Sequence, residues 1–356
     1  MKNSETGARF AIGGEFETDH IILGKMSALD QLTHGLEGAW TWSGRAALYQ
    51  VLRHLKDQGV SRIHLPAFLC DSIMLPVKTL GLDYSFYPVD ETLTAQPDPS
   101  HNDAVLIIHY FGRINPAVHE LRKGSGTTHH LIEDSCQALL TDWTSRNCDG
   151  IHYLLSPRKF GPVPLGGWCN LPEMAVEQSA AATNRASLSM VARFVKATYL
   201  ADTTASVETE TEEFYLEAFE QTENALDELS TSGLPEWMLK IIAGVDWSAA
   251  ARSRVQNQRF LISELSELFE FPIPHFGENE VPLGQPVLVE DRDGLRRTLA
   301  RNRIFCPIHW HLPPEVVAAR FPQEHNLSSR LMTVPIDQRY DTNRLSQLVE
   351  IVKSLH

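Results

Sequence analysis

Apolar residues recur at helical spacing in "SGRAALYQVLRHLKDQG", where Ala47, Leu48, Val51, Leu52 and Leu55 fall on one face. The pattern predicts an amphipathic helix, with Ser43 as its N-cap and Gly59 as its stop. A different rhythm follows. Short, near-continuous apolar runs come one after another: "SRIHLPAF", "LDYSFYPVD", "DAVLIIHYFG", "HHLIEDSCQAL" and "GIHYLLS". Such runs predict strands buried on both faces, as in a mainly parallel α/β sheet. From 180 to 240 alanine, glutamate and leucine dominate and predict helix. "DWSAAARSRVQNQRFLISELSELF" reads as one long helix, a bridge into a second domain. Beyond it, "GQPVLVED", "IFCPIHWHLP" and "MTVPI" predict strands, and "DRDGLRRTLARN" and "NRLSQLVEIVKSLH" predict helices. The 356 residues thus divide into an N-terminal arm with a large α/β domain, 1–245, and a small α+β domain, 246–356.

Composition narrows the class. No run approaches the roughly 18 apolar residues of a membrane span. The opening "MKNSETGARF" lacks the apolar region of a signal peptide, so a cytoplasmic protein without membrane contact is expected. Five cysteines, Cys70, Cys136, Cys148, Cys169 and Cys306, are widely spaced and form no CxxC. They predict reduced thiols rather than a disulfide framework or a zinc knuckle. Net charge is −14, and between Lys196 and Lys240 there are eleven acids and no basic residue. That stretch predicts a solvated helical face. Without clustered lysine and arginine, a nucleic-acid partner is not expected.

Three predicted strands end in chemically able residues: His109, Asp134 and Ser156. In open α/β sheets ligands bind at the carboxyl ends of strands. "WSGRAAL" opens a helix with a Ser-Gly pair, whose unpaired N–H groups and positive dipole end suit an anion; the plain alternative is an N-cap. No GxxxxGK[ST] occurs, and "GSGTTH" lacks the third glycine of a dinucleotide fingerprint. In "LIEDSCQA", a strand-end carboxylate either caps locally or faces a cationic ring nitrogen or a metal, and Gln137 reaches the same side if a helical turn begins there.

In "SPRKFGPVPLGGW", Lys159 sits where an apolar strand becomes a tight loop. A loop lysine is ordinarily a surface residue. In a dry, confined site its amine is neutral and can form a Schiff base. Phosphate cup, strand-end acid and confined lysine together match pyridoxal phosphate, which has a phosphate tail, a pyridine nitrogen and an aldehyde. His309 and His311 flank Trp310, and strand alternation would put both on one face. No third ligand is at hand, so no metal is expected.

The chain resembles the DegT/DnrJ-type sugar aminotransferases, fold type I enzymes dependent on pyridoxal phosphate, over most of its length. "SGRAAL" is similar to their SGT-x-AL segment, "LPAFLCDSI" to their PxFT segment, and "LDYSFYPVD" to their G-x-x-P-x-F-x-D-V-D. "VLIIHYFG" resembles V-x-x-H-x-[YF]-G, "IEDSCQA" resembles EDxAQA, and "SPRKF" followed by "GG" resembles the lysine segment. "LVEDRDGLRRTLARNRIFCPIHW" and "TVPIDQRY" are similar to the small domain and its ending.

The resemblance implies a large domain with a mainly parallel sheet, a small C-terminal domain and a homodimer. It implies that Lys159 bonds the cofactor, Asp134 pairs with the pyridine nitrogen and Gln137 contacts the ring hydroxyl. Ser43, Gly44 and Arg45 would supply N–H groups to the phosphate, Cys70 would face the ring, and His309 would line the substrate pocket. The family's Ser-x-x-x-x-Lys spacing meets Leu154 here, and Ser156 stands as the substitute phosphate ligand. The family's G-Y-N-x-R segment is not recognisable. The implied activity moves an amino group, with glutamate as donor, to a keto-sugar or a similar carbonyl acceptor. A dehydratase of the same fold, and a catalytically idle binding or regulatory protein, are the alternatives. Lys159 speaks against the first, because those relatives carry histidine there. Retention of both Asp134 and Lys159 speaks against the second.

Overall fold

The computed structural model describes residues 9–99, 102–125, 128–143, 150–171, 180–202, 209–227, 229 and 233–355. Cys148 lies outside them. The arm carries β1 (Ile12–Gly13). The central sheet is built from β2 (Ala39–Thr41), β3 (Arg62–Pro66), β4 (Asp83–Tyr87), β5 (Ala104–Ile108), β6 (His130–Asp134), β7 (Ile151–Leu155) and β8 (Gly167–Cys169). Its order is β2-β8-β7-β6-β5-β3-β4. Only β8 runs against its neighbours; the other described pairings are parallel. Every residue of β5 and β7 is buried, as expected where both faces of a parallel sheet are covered.

The first predicted helix spans Gly44–Asp57 and buries Ala46, Ala47, Leu48, Val51, Leu52 and Leu55, the periodic face. Ser43 caps it: its Oγ accepts from the Ala46 N–H at 3.1 Å. The helix start lies against β8 so closely that a Cβ on Gly167 would collide with the Ser43 carbonyl.

The C-terminal residues contribute β9 (Gln285–Leu288), β10 (Ile304–Phe305) and β11 (Leu331–Val334). β9 pairs antiparallel with β11, while β10 pairs with β1 of the arm. A second core gathers Ile12, Leu261, Val287, Met332 and Leu345. The long helix, Trp247–Leu265, joins the two: Trp247 packs in the sheet's core, Leu261 and Leu265 in the second. One strand expectation is corrected. "IFCPIHWHLP" forms a strand only at Ile304–Phe305. Pro307 has no N–H to continue a ladder. Alternation therefore does not govern His309 and His311, and His311 is exposed.

The sheet reverses its order between β3 and β5: β4 lies to one side of β3, β5 to the other. Such a switch opens a crevice at the carboxyl ends of the strands, where α/β folds bind ligands. Among the described residues no helix is long and apolar enough to cross a membrane.

Candidate active site

A cavity of about 640 Å³ lies at those carboxyl ends. Its wall includes Ile108 at the end of β5, Asp134 at the end of β6, and Ser156 and Lys159 just beyond β7. The arm closes one side through Gly13 to Phe16, and the C-terminal residues close another. Ser43, Gly44, Arg45, Cys70, Gln137 and His309 line the same space, so the folded chain brings together residues 266 positions apart, from Ser43 to His309.

One end suits an anion. The helix Gly44–Asp57 points its first turn there, and backbone N–H groups at a helix start carry partial positive charge. The Ser43 oxygen already accepts from Ala46, which leaves its hydroxyl proton to donate elsewhere. The Arg45 guanidinium is turned away, donating to Asp227 at 2.6 Å and Glu223 at 2.7 Å. Any contact from Arg45 to the anion would come from its backbone. A Cβ on Gly44 would stand 3.1 Å from Cys136 Sγ and 3.7 Å from Ser156 Cβ, so the glycine keeps the cradle open. Ser156 Oγ donates to the Gly166 carbonyl at 3.3 Å.

At the middle of the cavity, Asp134 Oδ1 accepts from the Cys136 N–H at 2.9 Å, which fixes the carboxylate's orientation. Glu133, on the opposite face of β6, is fully buried. It accepts from His109 Nε2 at 2.9 Å and from Arg122 Nε and Nη2 at 2.7 Å each. Burial alone would raise the Glu133 carboxyl; the His109 and Arg122 hydrogen bonds outweigh it and hold the group below its ordinary value. His109 belongs to this buried triad and does not line the cavity.

Gln137 is buried, and its Oε1 accepts from the Phe111 N–H at 2.9 Å. Its Nε2 has no partner among the described residues. A buried donor left unpaired costs about 1–3 kcal/mol. An acceptor atom on a ligand would satisfy it.

Lys159 closes the short helical turn Pro157–Lys159 that follows β7. Among the described residues its Nζ has no hydrogen bond and no ion-pair partner. The neighbouring cation, Arg158, is neutralised by carboxylates. Arg158 pairs with Glu15 at 3.1 Å and Glu223 at 2.9 Å. Burial would lower the Arg158 guanidinium, yet the two carboxylates outweigh it and raise it. Half-buried Glu223 thereby departs from the solvated face expected of the acidic stretch, although Glu213, Glu217, Glu220 and Asp227 do face solvent.

His309 Nδ1 lies 2.8 Å from Thr333 Oγ1. Burial, helped by the Lys159 charge, pushes its imidazole down to about 3. It is a neutral wall, not an acid. Trp310 stands beside it, 5.6 Å from the Phe68 ring and 6.0 Å from the Tyr110 ring. Among the described residues no cluster of histidine, cysteine and carboxylate groups could hold a metal.

Sequence reasoning missed the charged girdle. Arg339 bridges Asp337 at 2.8 Å and Glu17 at 2.8 Å, and Arg193 reaches Glu15 at 3.0 Å. Arg254 is buried; burial first of all lowers its guanidinium to about 10. Apart from the Asp337–Arg339 pair, two residues apart, no local spacing marks these contacts, because Glu15 and Glu17 lie on a distant segment.

No family model matches the sequence, and no curated protein matches it. Solved structures do. CalS13 from Micromonospora echinospora, a sugar aminotransferase, is 17% identical with a TM-score of 0.64, covering 98% of this chain and 98% of its own. A DegT DnrJ EryC1 StrS aminotransferase from Brucella abortus is 16% identical with a TM-score of 0.62, covering 95% of this chain and 92% of its own. Spr1654 from Streptococcus pneumoniae, in its PLP form, is 12% identical with a TM-score of 0.63 over 95% and 92%. The chain has the fold of these proteins, the fold type I architecture.

Proposed function

We propose that this chain is a pyridoxal-phosphate-dependent aminotransferase acting on a keto-sugar or a similar polar carbonyl compound. One observation carries the reading. The Lys159 amine, without a counter-ion among the described residues, shares a single cavity with the Asp134 carboxylate and an open helix N-terminus. The residues fit the cofactor in three places: the Gly44 cradle takes a phosphate, the unpaired Gln137 Nε2 takes a ring oxygen, and Asp134 takes a protonated ring nitrogen. Likeness in fold to an aminotransferase described as acting on sugars, and to a protein solved in its PLP form, supports the same assignment.

When bound, the cofactor supplies an electron sink for a carbanion beside nitrogen. The chain supplies the rest. Ser43, Gly44 and Arg45 hold the phosphate. Ser156, whose proton points to Gly166, shapes that end of the cavity and gains a phosphate contact only by turning its hydroxyl. Cys70, on the cavity wall, would lie against the ring face. Lys159, on the wall of the same cavity, would hold the aldehyde end through its amine. The same amine, once released, would be the group placed to carry a proton as general base and acid. His309, uncharged, bounds the acceptor's place without competing for that proton.

Glutamate as donor, a cytoplasmic location and a homodimer complete the proposal, as does a division into domains at 245/246. Exposed Ile22 and Leu23 on the arm, 60% and 62% accessible, give a second copy an apolar surface to cover. Sedimentation of a fully active monomer would remove the dimer.

The test is chemical. Protein saturated with pyridoxal phosphate and reduced with borohydride should carry the phosphopyridoxyl group on the peptide containing Lys159. It should also transfer an amine from glutamate to at least one member of a keto-sugar panel. A label on Lys123 or Lys196, or no label, overturns the site. Loss of water from the sugar without amine transfer supports the dehydratase, and cofactor binding without turnover supports the idle protein.

A further inference from the structure

We propose that Arg296 is the residue that takes the carboxylate of the amino donor, an inference that rests on the aminotransferase reading above. Five arginines line the cavity: Arg45, Arg158, Arg254, Arg296 and Arg339. Four are committed. Arg45 and Arg158 are paired with Glu223, Asp227 and Glu15. Arg339 holds Asp337 and Glu17 and donates to the Gly14 and Glu15 carbonyls. Arg254 donates to Gln338 at 3.1 Å and to the Leu283 and Phe160 carbonyls at 2.6 and 3.3 Å, with its guanidinium 4.8 Å over the Phe160 ring. Arg296 differs. Its Nε donates to the Cys306 carbonyl at 2.8 Å, and among the described residues neither Nη has a partner.

The Nε bond ties the guanidinium to Cys306, which also lines the cavity, and leaves the two Nη groups as a fork. A fork of parallel N–H donors matches the two oxygens of a carboxylate. The side chain rises from the helix Arg292–Arg301, which is anchored by an Asp291 N-cap, by Arg292 on the Ser328 carbonyl and by buried Leu299. Asp293, on the same helix, hydrogen-bonds Arg292 Nε at 2.9 Å rather than Arg296. Arg296 is half-buried, so water screens its charge only in part. An amino acid must bring its amine to the place Lys159 occupies while its carboxylate finds a cation. With Lys159 engaged in chemistry, Arg296 is the cavity cation without a partner among the described residues. The helix start at Gly44 offers the other anion place, and the cofactor's phosphate takes it.

Calorimetry on the cofactor-saturated protein tests this with glutarate, a dicarboxylate that has no amine and cannot react. Uridine diphosphate is the second probe, because a nucleotide-linked acceptor would present a different anion to the same fork. The expected result is a loss of glutarate affinity of about tenfold or more in Arg296→Gln, with uridine diphosphate binding unchanged. Arg296→Lys, which keeps the stem and the charge, should retain part of the affinity and the wild-type melting temperature. Equal glutarate affinity in wild type and Arg296→Gln, no glutarate binding by wild type, or loss of uridine diphosphate binding alone would overturn the assignment. The cofactor's absorbance is read in parallel. Its absence in a wild-type protein that still binds glutarate through Arg296 would sink the aminotransferase reading and leave the carboxylate site standing.

Discussion

Gln338 Nε2 donates to the Phe160 carbonyl at 2.7 Å and so ties the C-terminal residues to the peptide that follows Lys159. The same glutamine accepts from Arg254 Nε at 3.1 Å, and Arg254 Nη2 reaches the same carbonyl at 3.3 Å. Lys159 therefore emerges from a loop held in place by residues almost 180 positions away. The role proposed for Lys159, bonding a cofactor and moving a proton, needs that restraint.

Gln338→Ala should lower kcat about tenfold, because small misplacements of a catalytic group are costly. The donor KM and the borohydride label on Lys159 should stay as in wild type. Steady-state kinetics with labelled-peptide mapping reads both. An unchanged kcat would mean that Arg254 alone suffices.

Asp134→Asn should keep cofactor bound yet lose at least about a hundredfold in turnover. The amide can still accept from the Cys136 N–H, so the local fold survives, but it cannot hold a ring nitrogen protonated. Cofactor titration by absorbance and single-turnover rates separate the two effects. Near-normal turnover would displace the carboxylate from its role.

Gly44→Glu should weaken cofactor retention by about tenfold or more. A side chain there meets Cys136 Sγ at 3.1 Å, and its charge opposes the phosphate at the positive helix end. Equilibrium dialysis against pyridoxal phosphate measures it, and wild-type retention would remove the helix start from the phosphate site.

His309 makes stability depend on acid. Its folded value, about 3, lies below the ordinary 6.5, so between those values the unfolded chain binds a proton that the folded chain refuses. The stability this group contributes is full above about pH 6.5 and is lost as pH falls toward 3. Wild type should therefore lose about 1.4 kcal/mol more per pH unit below pH 6 than His309→Gln, which has no such proton to take up. Urea unfolding from pH 7 to pH 5 reads the slopes, and parallel slopes would refute the buried neutral imidazole.

Periodicity and short spacings determined a good deal. Apolar runs such as "AVLII" specify a doubly covered strand because each position must leave water, and Ser43 specifies a helix start because its oxygen serves a donor three residues on. Asp134, Gln137 and Lys159 were legible for the same reason. Each sits within a few residues of a strand end, and the carboxyl ends of parallel strands converge without further instruction. "IFCPIHWHLP" misled because its apolar text reads as a strand while Pro307 cannot donate to one.

Apart from the Asp337–Arg339 pair, two residues apart, the charged girdle was decided by the tertiary structure. Whether an arginine is neutralised or left to meet a substrate depends on which distant carboxylate or carbonyl reaches its nitrogens. Glu15 finds Arg158 across 143 residues, and Arg339 finds the Gly14 carbonyl across 325, while among the described residues Arg296 finds only the Cys306 carbonyl ten residues on. Coulombic and hydrogen-bond energies fall away with separation in space and take no account of separation along the chain, so the sequence could name these cations but could not say which of them was left for a ligand.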